Sequence, residues 1–307
     1  MKYIYILNGR ADKAPYYEEF YAQLKEIPHL HEVYTTQGEG DATRFVRLFC
    51  DLHPEEEVCF VACGGNGIIN DVGSGLVGYL LSGEPVANKS IAVLYFGGAT
   101  QDFIINFPGR NFCSVKDMLA GTVTPTDVIR VNDSFCFNVC NLGFNSRVAS
   151  RANELIAKGK SAHEAYTRGV INAILTSRYN RIRVMVDGER IARGPMVLCT
   201  VANGRRVGGE FNCAPGALMD DGLMDVCYFR AMSLLRLLLL IPPYRSGEHI
   251  GSRVGGKKVL FRHAREVTIS SNDLIDIYID GEQLPGSQFQ LTMLPGALPL
   301  RLPPVAE

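Results

Sequence analysis

The chain has 307 residues, 47% of them hydrophobic and 21% charged, an ordinary balance for a globular protein and enough length for two cores. Its 31 basic and 32 acidic residues leave a formal charge of -1, so no field of a single sign favours nucleic acid as a partner, and anionic ligands must be held by local groups. The nine cysteines stand singly or as C-x3-C, as in Cys59/Cys63 and Cys136/Cys140; no C-x-x-C pair suggests a zinc ribbon or a thioredoxin-like redox site, and the odd count spread through apolar runs reads as reduced thiols used as small hydrophobes.

In chain order, Tyr3–Leu7 reads as a buried strand too short for a signal-peptide core, and a cytoplasmic protein is expected. A helix follows over Tyr16–Ile27, then a short strand at Glu32–Thr35. Asp41 stands where it could cap a helix reaching about Leu52. Glu57–Ala62 is a second buried strand, Ile68–Leu81 a helix and Ile91–Phe96 a strand. Strands alternating with helices imply a largely parallel sheet with helices on both faces, and ligands in such sheets bind beyond the carboxyl ends of the strands.

Near Thr122-Val123-Thr124-Pro125 the pattern changes, and a domain boundary is expected at 122/123. Strands are predicted at Thr126–Val131, Ser134–Leu142, Asn180–Val186, Arg190–Ala202, Asp225–Phe229, Val259–Phe261, Glu266–Ser270, Ile275–Ile279 and Gln288–Met293. Asp187-Gly188 is a hairpin signal. Helices are predicted at Ser146–Lys158, His163–Leu175 and Ser233–Leu240, the last stopped by Pro242-Pro243. The expected fold is therefore α/β plus β: an N-terminal α/β domain over 1–122 with a largely parallel sheet, and a β-rich antiparallel domain over 123–307, whose last residues could pack back on the first domain.

The sharpest local feature is the run from Val58 through Gly64-Gly65-Asn66-Gly67 to Asp71. A buried strand enters glycines and then a helix start, whose unpaired N–H groups and dipole suit a phosphate. A plain strand-to-helix turn is the alternative. Neither a Walker A loop nor a dinucleotide fingerprint fits, because Gly-Lys-Ser/Thr and G-x-G-x-x-G are both absent. Gly97-Gly98 occupies the equivalent place after the next strand.

These residues resemble the bacterial diacylglycerol kinase-like lipid kinases, a family that includes sphingosine kinases. Gly64-Gly65-Asn66-Gly67-Ile68, followed by Asn70-Asp71, stands where that family has G-G-D-G-T and an acidic helix. Phe96-Gly97-Gly98-Ala99-Thr100-Gln101-Asp102 stands where it has P-x-G-T-x-N-D. Asn8-Gly9-Arg10 matches in part its first turn, and Thr35-Thr36 with Gly40-Asp41-Ala42 its threonine and G-D-A. In the second half, Ala202-Asn203-Gly204, Ala214-Pro215 through Asp220-Asp221-Gly222-Leu223-Met224-Asp225, and Asp280-Gly281-Glu282 look like its A-N-G, D-D-G-x-L-D and D-G-E series.

The resemblance implies a nucleotide-binding first domain, a β-sandwich-like second one and an active site in the cleft between them. It implies ATP and Mg²⁺, with Asn8, Thr36, Gly64, Gly65, Asn66, Gly67, Gly97, Gly98, Thr100 and Asp102 at the nucleotide. Asp220, Asp221 and Leu223 would hold a structural metal, and Glu282 and Asp71 would be catalytic. Read without the resemblance, Asp220-Asp221-Gly222 and Asp280-Gly281-Glu282 are also ordinary hairpin turns. Asn66 stands for a carboxylate and cannot serve as a base, which points to weakened transfer or to a non-catalytic binder. A NAD kinase-like enzyme is the third reading. A lipid acceptor would approach over Leu234-Leu235 and Leu237–Ile241, with Arg253, Lys257, Lys258, Arg262 and Arg265 toward anionic headgroups in a transient membrane contact. A homodimer is left open.

Overall fold

A computed structural model describes residues 1–9, 17–83, 88–96, 101–143, 151, 154–161, 164–165, 168–169 and 180–306. The chain divides into two compact units, Met1–Val128 with Pro295–Glu307, and Ile129–Leu294. The first unit thus runs six residues past the expected 122/123 boundary, because strand β5 (Thr122–Val131) starts in the first unit and ends in the second.

In the first unit, β1 (Lys2–Leu7), β2 (His31–Thr35), β3 (Val58–Cys63) and β4 (Lys89–Leu94) pair in parallel, in the order β2–β1–β3–β4. Leu300 and Arg301, near the end of β15 (Glu282–Leu302), add parallel to β4. β3 and β4 are buried along their whole length, as apolar strands covered on both faces must be. Alternation sends Tyr3, Tyr5 and Leu7 with Cys59, Val61 and Cys63 against Phe20 and Leu24 of α1 (Glu18–Glu26) and Val115 and Met118 of α4 (Val115–Leu119). The other face takes α3 (Asn66–Leu80), with α2 (Asp41–Leu52) packed on α3. α4 was not foreseen.

Asp41 does not cap α2. Gly40 is the cap residue, and the Asp41 carboxylate accepts from the Gln37 N–H (2.9 Å) and the Tyr34 hydroxyl (2.8 Å), the bond to Gln37 doing most to hold its pKa below the usual carboxylate value. α3 begins two residues before the expected Ile68, so Asn66 and Gly67 belong to its first turn.

The second unit is antiparallel. β7 (Val139–Gly143), β8 (Asn180–Val186), β9 (Glu189–Ala202), β12 (Met224–Arg230), β13 (Val259–Ala264), β14 (Glu266–Ile279) and the start of β15 pair in the order β13–β12–β9–β7–β14–β15, with β8 between β9 and β14. β6 (Ser134–Cys136) pairs with β5, and β10 (Arg206–Val207) with β11 (Phe211–Asn212). One core gathers Leu142, Ile182, Val184, Val226, Tyr228, Ile269, Ile277 and Phe289. A second lies under helix α5 (Leu234–Ser246), where Leu237, Leu240 and Tyr244 meet Cys227 and Phe229.

Three expectations are corrected. The strand predicted over Ser134–Leu142 is broken at Phe137-Asn138, where main-chain N–H groups turn to a carboxylate described below. α5 does not stop at Pro242-Pro243 but continues to Ser246. The carbonyls those prolines leave without an i→i+4 donor belong to Leu238 and Leu239, whose side chains are exposed, so water can reach that side of the helix. β15 is far longer than Gln288–Met293, running through Pro285, Pro295 and Pro299. Asp187-Gly188 does form the β8–β9 hairpin turn, both residues at positive φ. Of the two helices expected between 146 and 175, residues 151, 154–157, 164–165 and 168–169 are helical and the rest lie outside the described residues.

Candidate functional site

The carboxyl ends of the four parallel strands bring several expected residues together. After β1, the Asn8 N–H is bound by the Tyr17 hydroxyl (3.0 Å), and that hydroxyl also lies 3.4 Å from the Cys63 carbonyl at the end of β3. Gly9 donates its N–H to Thr36 Oγ1 (3.1 Å) after β2. A Cβ on Gly9 would fall 1.8 Å from the Thr36 carbonyl oxygen, so only glycine fits there. Tyr17 as the link between two strand ends was missed; no spacing in the sequence marks it.

Gly64 leaves β3 at φ +147°, donating to the Leu94 carbonyl at the end of β4 (2.9 Å); a side chain would press on Ile68. Gly65 precedes α3 in extended conformation, and no side chain caps the helix. The main-chain N–H groups of Gly67 and Ile68 make no hydrogen bond among the described residues. The helix start therefore presents donors and the positive end of its dipole to the strand-end edge.

Asn66 is fixed on both sides. Its amide donates to Asp102 Oδ2 (3.2 Å), and its Oδ1 accepts from the Phe103 N–H (3.4 Å); Asp102 is buried. Gly97, Gly98 and Thr100 lie outside the described residues. Asp71 lies beside the start of α2, where the Thr43 hydroxyl donates to its main-chain carbonyl (2.8 Å); burial raises its pKa, and the neighbouring Gly40 N–H and Thr43 hydroxyl oppose that rise.

In the second unit, the D-G-E segment is a two-residue turn between β14 and β15, with Asp280 and Gly281 both at positive φ and Glu282 exposed, paired with Ile279. The Asp280 carboxylate accepts main-chain N–H bonds from Phe137 (2.7 Å), Asn138 (3.0 Å) and Val139 (2.9 Å). Asn138 in turn accepts, at its carbonyl, the N–H groups of Asn203 and Gly204 (2.9 Å each), while Asn203 Nδ2 donates to the Phe137 carbonyl (3.0 Å). The A-N-G and D-G-E motifs, far apart in sequence, thus meet on one strand break. Asn138 was missed; its signal was a polar residue inside the apolar run Phe135–Leu142, which burial tolerates only with partners.

In the D-D-G loop, Asp220 and Asp221 are exposed, Gly222 has positive φ, and the Leu223 N–H donates to Asp221 Oδ1 (3.0 Å). Behind it, Asp225 is buried. One of its oxygens bonds His263 Nδ1 (2.8 Å); the other has no partner among the described residues. Burial raises the Asp225 pKa, and the charge of Asp221 adds to that. No group of three or more His, Cys, Asp or Glu side chains is set to hold a metal ion among the described residues, so a cation here needs main-chain oxygens such as that of Leu223. The oxygen-rich donor set and the unpartnered buried carboxylate oxygen fit a hard cation.

Comparison with known proteins identifies the family. Residues 138–302 match the family described as "YegS C-terminal NAD kinase beta sandwich-like domain". The chain is 31% identical over 306 residues to "Probable lipid kinase YegS" of Salmonella newport (strain SL254), covering 97% of this chain and 95% of the relative. It is 30% identical over 306 residues, with the same coverage, to "Probable lipid kinase YegS-like" of Citrobacter koseri. Among solved structures, a diacylglycerol kinase from Bacillus anthracis str. Sterne superposes with a TM-score of 0.67 at 18% identity, covering 100% of this chain and 98% of that one, which shows a shared fold. Since the domain match spans more than half of the chain and the relatives run nearly its full length, the chain belongs to the diacylglycerol kinase-like catalytic-domain family, in its YegS-like group.

Proposed function

We propose that this chain is a lipid kinase that transfers the γ-phosphoryl group of ATP to a lipid hydroxyl such as that of diacylglycerol. The observation that carries this reading is the passage from buried β3 through Gly64-Gly65 into an uncapped helix start, at the carboxyl edge of parallel strands. The N–H groups of Gly67 and Ile68 would bind phosphate oxygens, with Asn8, Thr36 and Asp102 on the same edge. Mg²⁺ bound with the nucleotide would neutralise phosphate charge, and a second, structural cation would sit at Asp220, Asp221 and Leu223. Glu282, exposed at its turn, takes the acceptor's proton in this reading, since the Asn66 amide cannot.

Acceptor lipids lie in a bilayer, and α5 supports a surface contact. Leu237, Leu240 and Tyr244 bury one face of this helix, whereas Leu234, Leu235, Leu238 and Leu239 are 49%, 69%, 44% and 56% exposed. The exposed leucines recur at i, i+1, i+4 and i+5, one apolar stripe with Arg236 beside it, as in helices that lie in a membrane interface. Arg253, Lys257, Arg262 and Arg265 are exposed as well. No helix among the described residues is long and apolar enough to cross a membrane. On this reading the chain works in the cytoplasm and touches the membrane surface.

A second reading, a nucleotide or lipid binder without transfer, is favoured by the Asn66–Asp102 hydrogen bond, which occupies the position of the family's carboxylate with a neutral amide. Transfer of labelled phosphate from ATP to diacylglycerol, sphingosine or NAD separates the readings. The expected result is a labelled lipid, lost in Glu282→Gln. Labelled NAD alone, or full lipid transfer by that variant, refutes the assignment.

A further inference from the structure

The second unit carries a basic groove that shares no lining residue with the motifs above. It lies on the outer face of the sheet formed by β9, β8, β14 and β15, and its volume is about 760 Å³. Register places its side chains. Arg183 on β8 stands opposite Arg193 on β9 and opposite Ser270 on β14, and Ser270 stands opposite Gln288 on β15. This is one row across four strands. The alternate residues Ile182, Val184, Ile269 and Phe289 point to the core, so the row faces outward. Arg181, two residues before Arg183, shares that face and also lines the groove.

Two guanidinium groups directly opposite one another on neighbouring strands repel. Among the described residues nothing nearby relieves them. None of Arg181, Arg183 and Arg193 forms an ion pair among the described residues. Among the described residues, the one acid lining the groove is Asp273, which is exposed and in no ion pair. Gly194, beside Arg193, leaves open space where a side chain would stand. With a net charge of -1 over the chain, the cluster is local.

We propose that this groove is a binding site for a phosphate-bearing ligand. Arginine forks pair with phosphate oxygens two bonds at a time, and an anion between Arg183 and Arg193 converts their repulsion into shared attraction. Thr268 and Ser270 add hydroxyl donors on the floor. The volume far exceeds a lone phosphate ion and suits a phosphorylated small molecule or a lipid headgroup.

The chain has no tryptophan, so Met185→Trp, in the groove wall, supplies a single local fluorophore that a phosphate site elsewhere would not report through. The probes are inorganic phosphate, vesicles of pure phosphatidylcholine, and phosphatidylcholine vesicles containing phosphatidic acid. A saturable emission change with phosphate, weakened about tenfold or more by Arg183→Gln with Arg193→Gln, supports the site with a soluble ligand. A change confined to the vesicles containing phosphatidic acid, equally dependent on the arginines, supports it with a lipid headgroup. No response to any probe, a response to pure phosphatidylcholine, or a response indifferent to the arginines overturns the proposal. Arg193→Gln alone gives a second readout: it raises the Tm of the ligand-free protein while abolishing the phosphate-dependent rise. A fall in the ligand-free Tm, with that rise intact, counts against it.

Discussion

Asp280 and Glu282 are two residues apart in one motif, yet the first is tied to the main chain of another segment and the second is exposed. Replacing Asp280 by Asn keeps Oδ1, and with it the bonds to the Asn138 and Val139 N–H groups, but puts an NH₂ where Oδ2 met Phe137 at 2.7 Å. One charge-assisted bond is lost, worth about 1.5–3 kcal/mol, and two more lose their ionic component. Asp280 is half-buried, so water offsets part of this, and the expected cost is about 2–3 kcal/mol. Asp280→Ala removes every carboxylate bond and places a non-glycine residue without a polar side chain at φ +49°, adding about 1 kcal/mol, for a total of about 4 kcal/mol. Glu282→Gln, at an exposed position, is expected to change stability by no more than about 0.5 kcal/mol while abolishing transfer. Urea unfolding with a common m-value measures all three. A cost below about 1 kcal/mol for Asp280→Asn, at unchanged m, refutes the assignment of Asp280 as the clamp of the 136–139 break.

Other outcomes follow from the same geometry. Burial lowers the pKa of His249 to about 4, against the pull of the Pro243 and Cys213 carbonyls. The unfolded chain then binds the proton first, so stability is full above about pH 6.5 and falls by about 3 kcal/mol as pH drops toward 4. His249 stacks on Phe229 and meets Tyr244 edge-on, so His249→Phe fits and should flatten that part of the pH–stability curve; an unchanged slope between the two proteins contradicts it. Leu235→Ser with Leu239→Ser should leave stability within about 0.5 kcal/mol but weaken vesicle binding tenfold or more, since each leucine buried in lipid contributes about 1.5–3 kcal/mol; equal flotation with vesicles would exclude α5 as the contact. Asn66→Asp should raise phosphate transfer, and unchanged turnover with nucleotide binding verified would mean that the missing charge does not matter.

Buried strands were plain in the sequence where apolar runs ended in glycine, as at Val58–Gly64, because both faces of such strands must be covered. Boundaries failed where a distant group intervened. Nothing local in Ser134–Leu142 reveals that a carboxylate more than a hundred residues away pulls its N–H groups out of the ladder. The prolines of β15 hid a long strand, and those of α5 hid six further helical residues, Ile241 to Ser246, because proline removes a donor without forbidding an element whose opposite groups meet water. Cys59, Cys63, Cys136 and Cys140 are buried free thiols, consistent with their reading as small hydrophobes. The outward arginines of β8 and β9 were invisible as a site, since their meeting depends on strand register.

The exchange of a carboxylate for Asn66 is matched by its surroundings. With aspartate at 66, two carboxylate oxygens would lie about where the amide and Asp102 now lie, 3.2 Å apart. One of the pair would hold a proton above its ordinary pKa, or a cation would have to bridge them. Asn66→Asp should therefore be least destabilising at acid pH, where the pair shares a proton, and increasingly so as pH rises through the raised pKa, with Mg²⁺ restoring stability. Asparagine avoids that dependence: one end satisfies Asp102, and the other receives the Phe103 N–H. The turn can thus hold its shape without a metal ion, which separates the geometry of the helix start from the presence of a carboxylate base. If Asn66→Asp proves as stable as the parent at neutral pH without divalent ions, the amide is not what holds Asp102 in place.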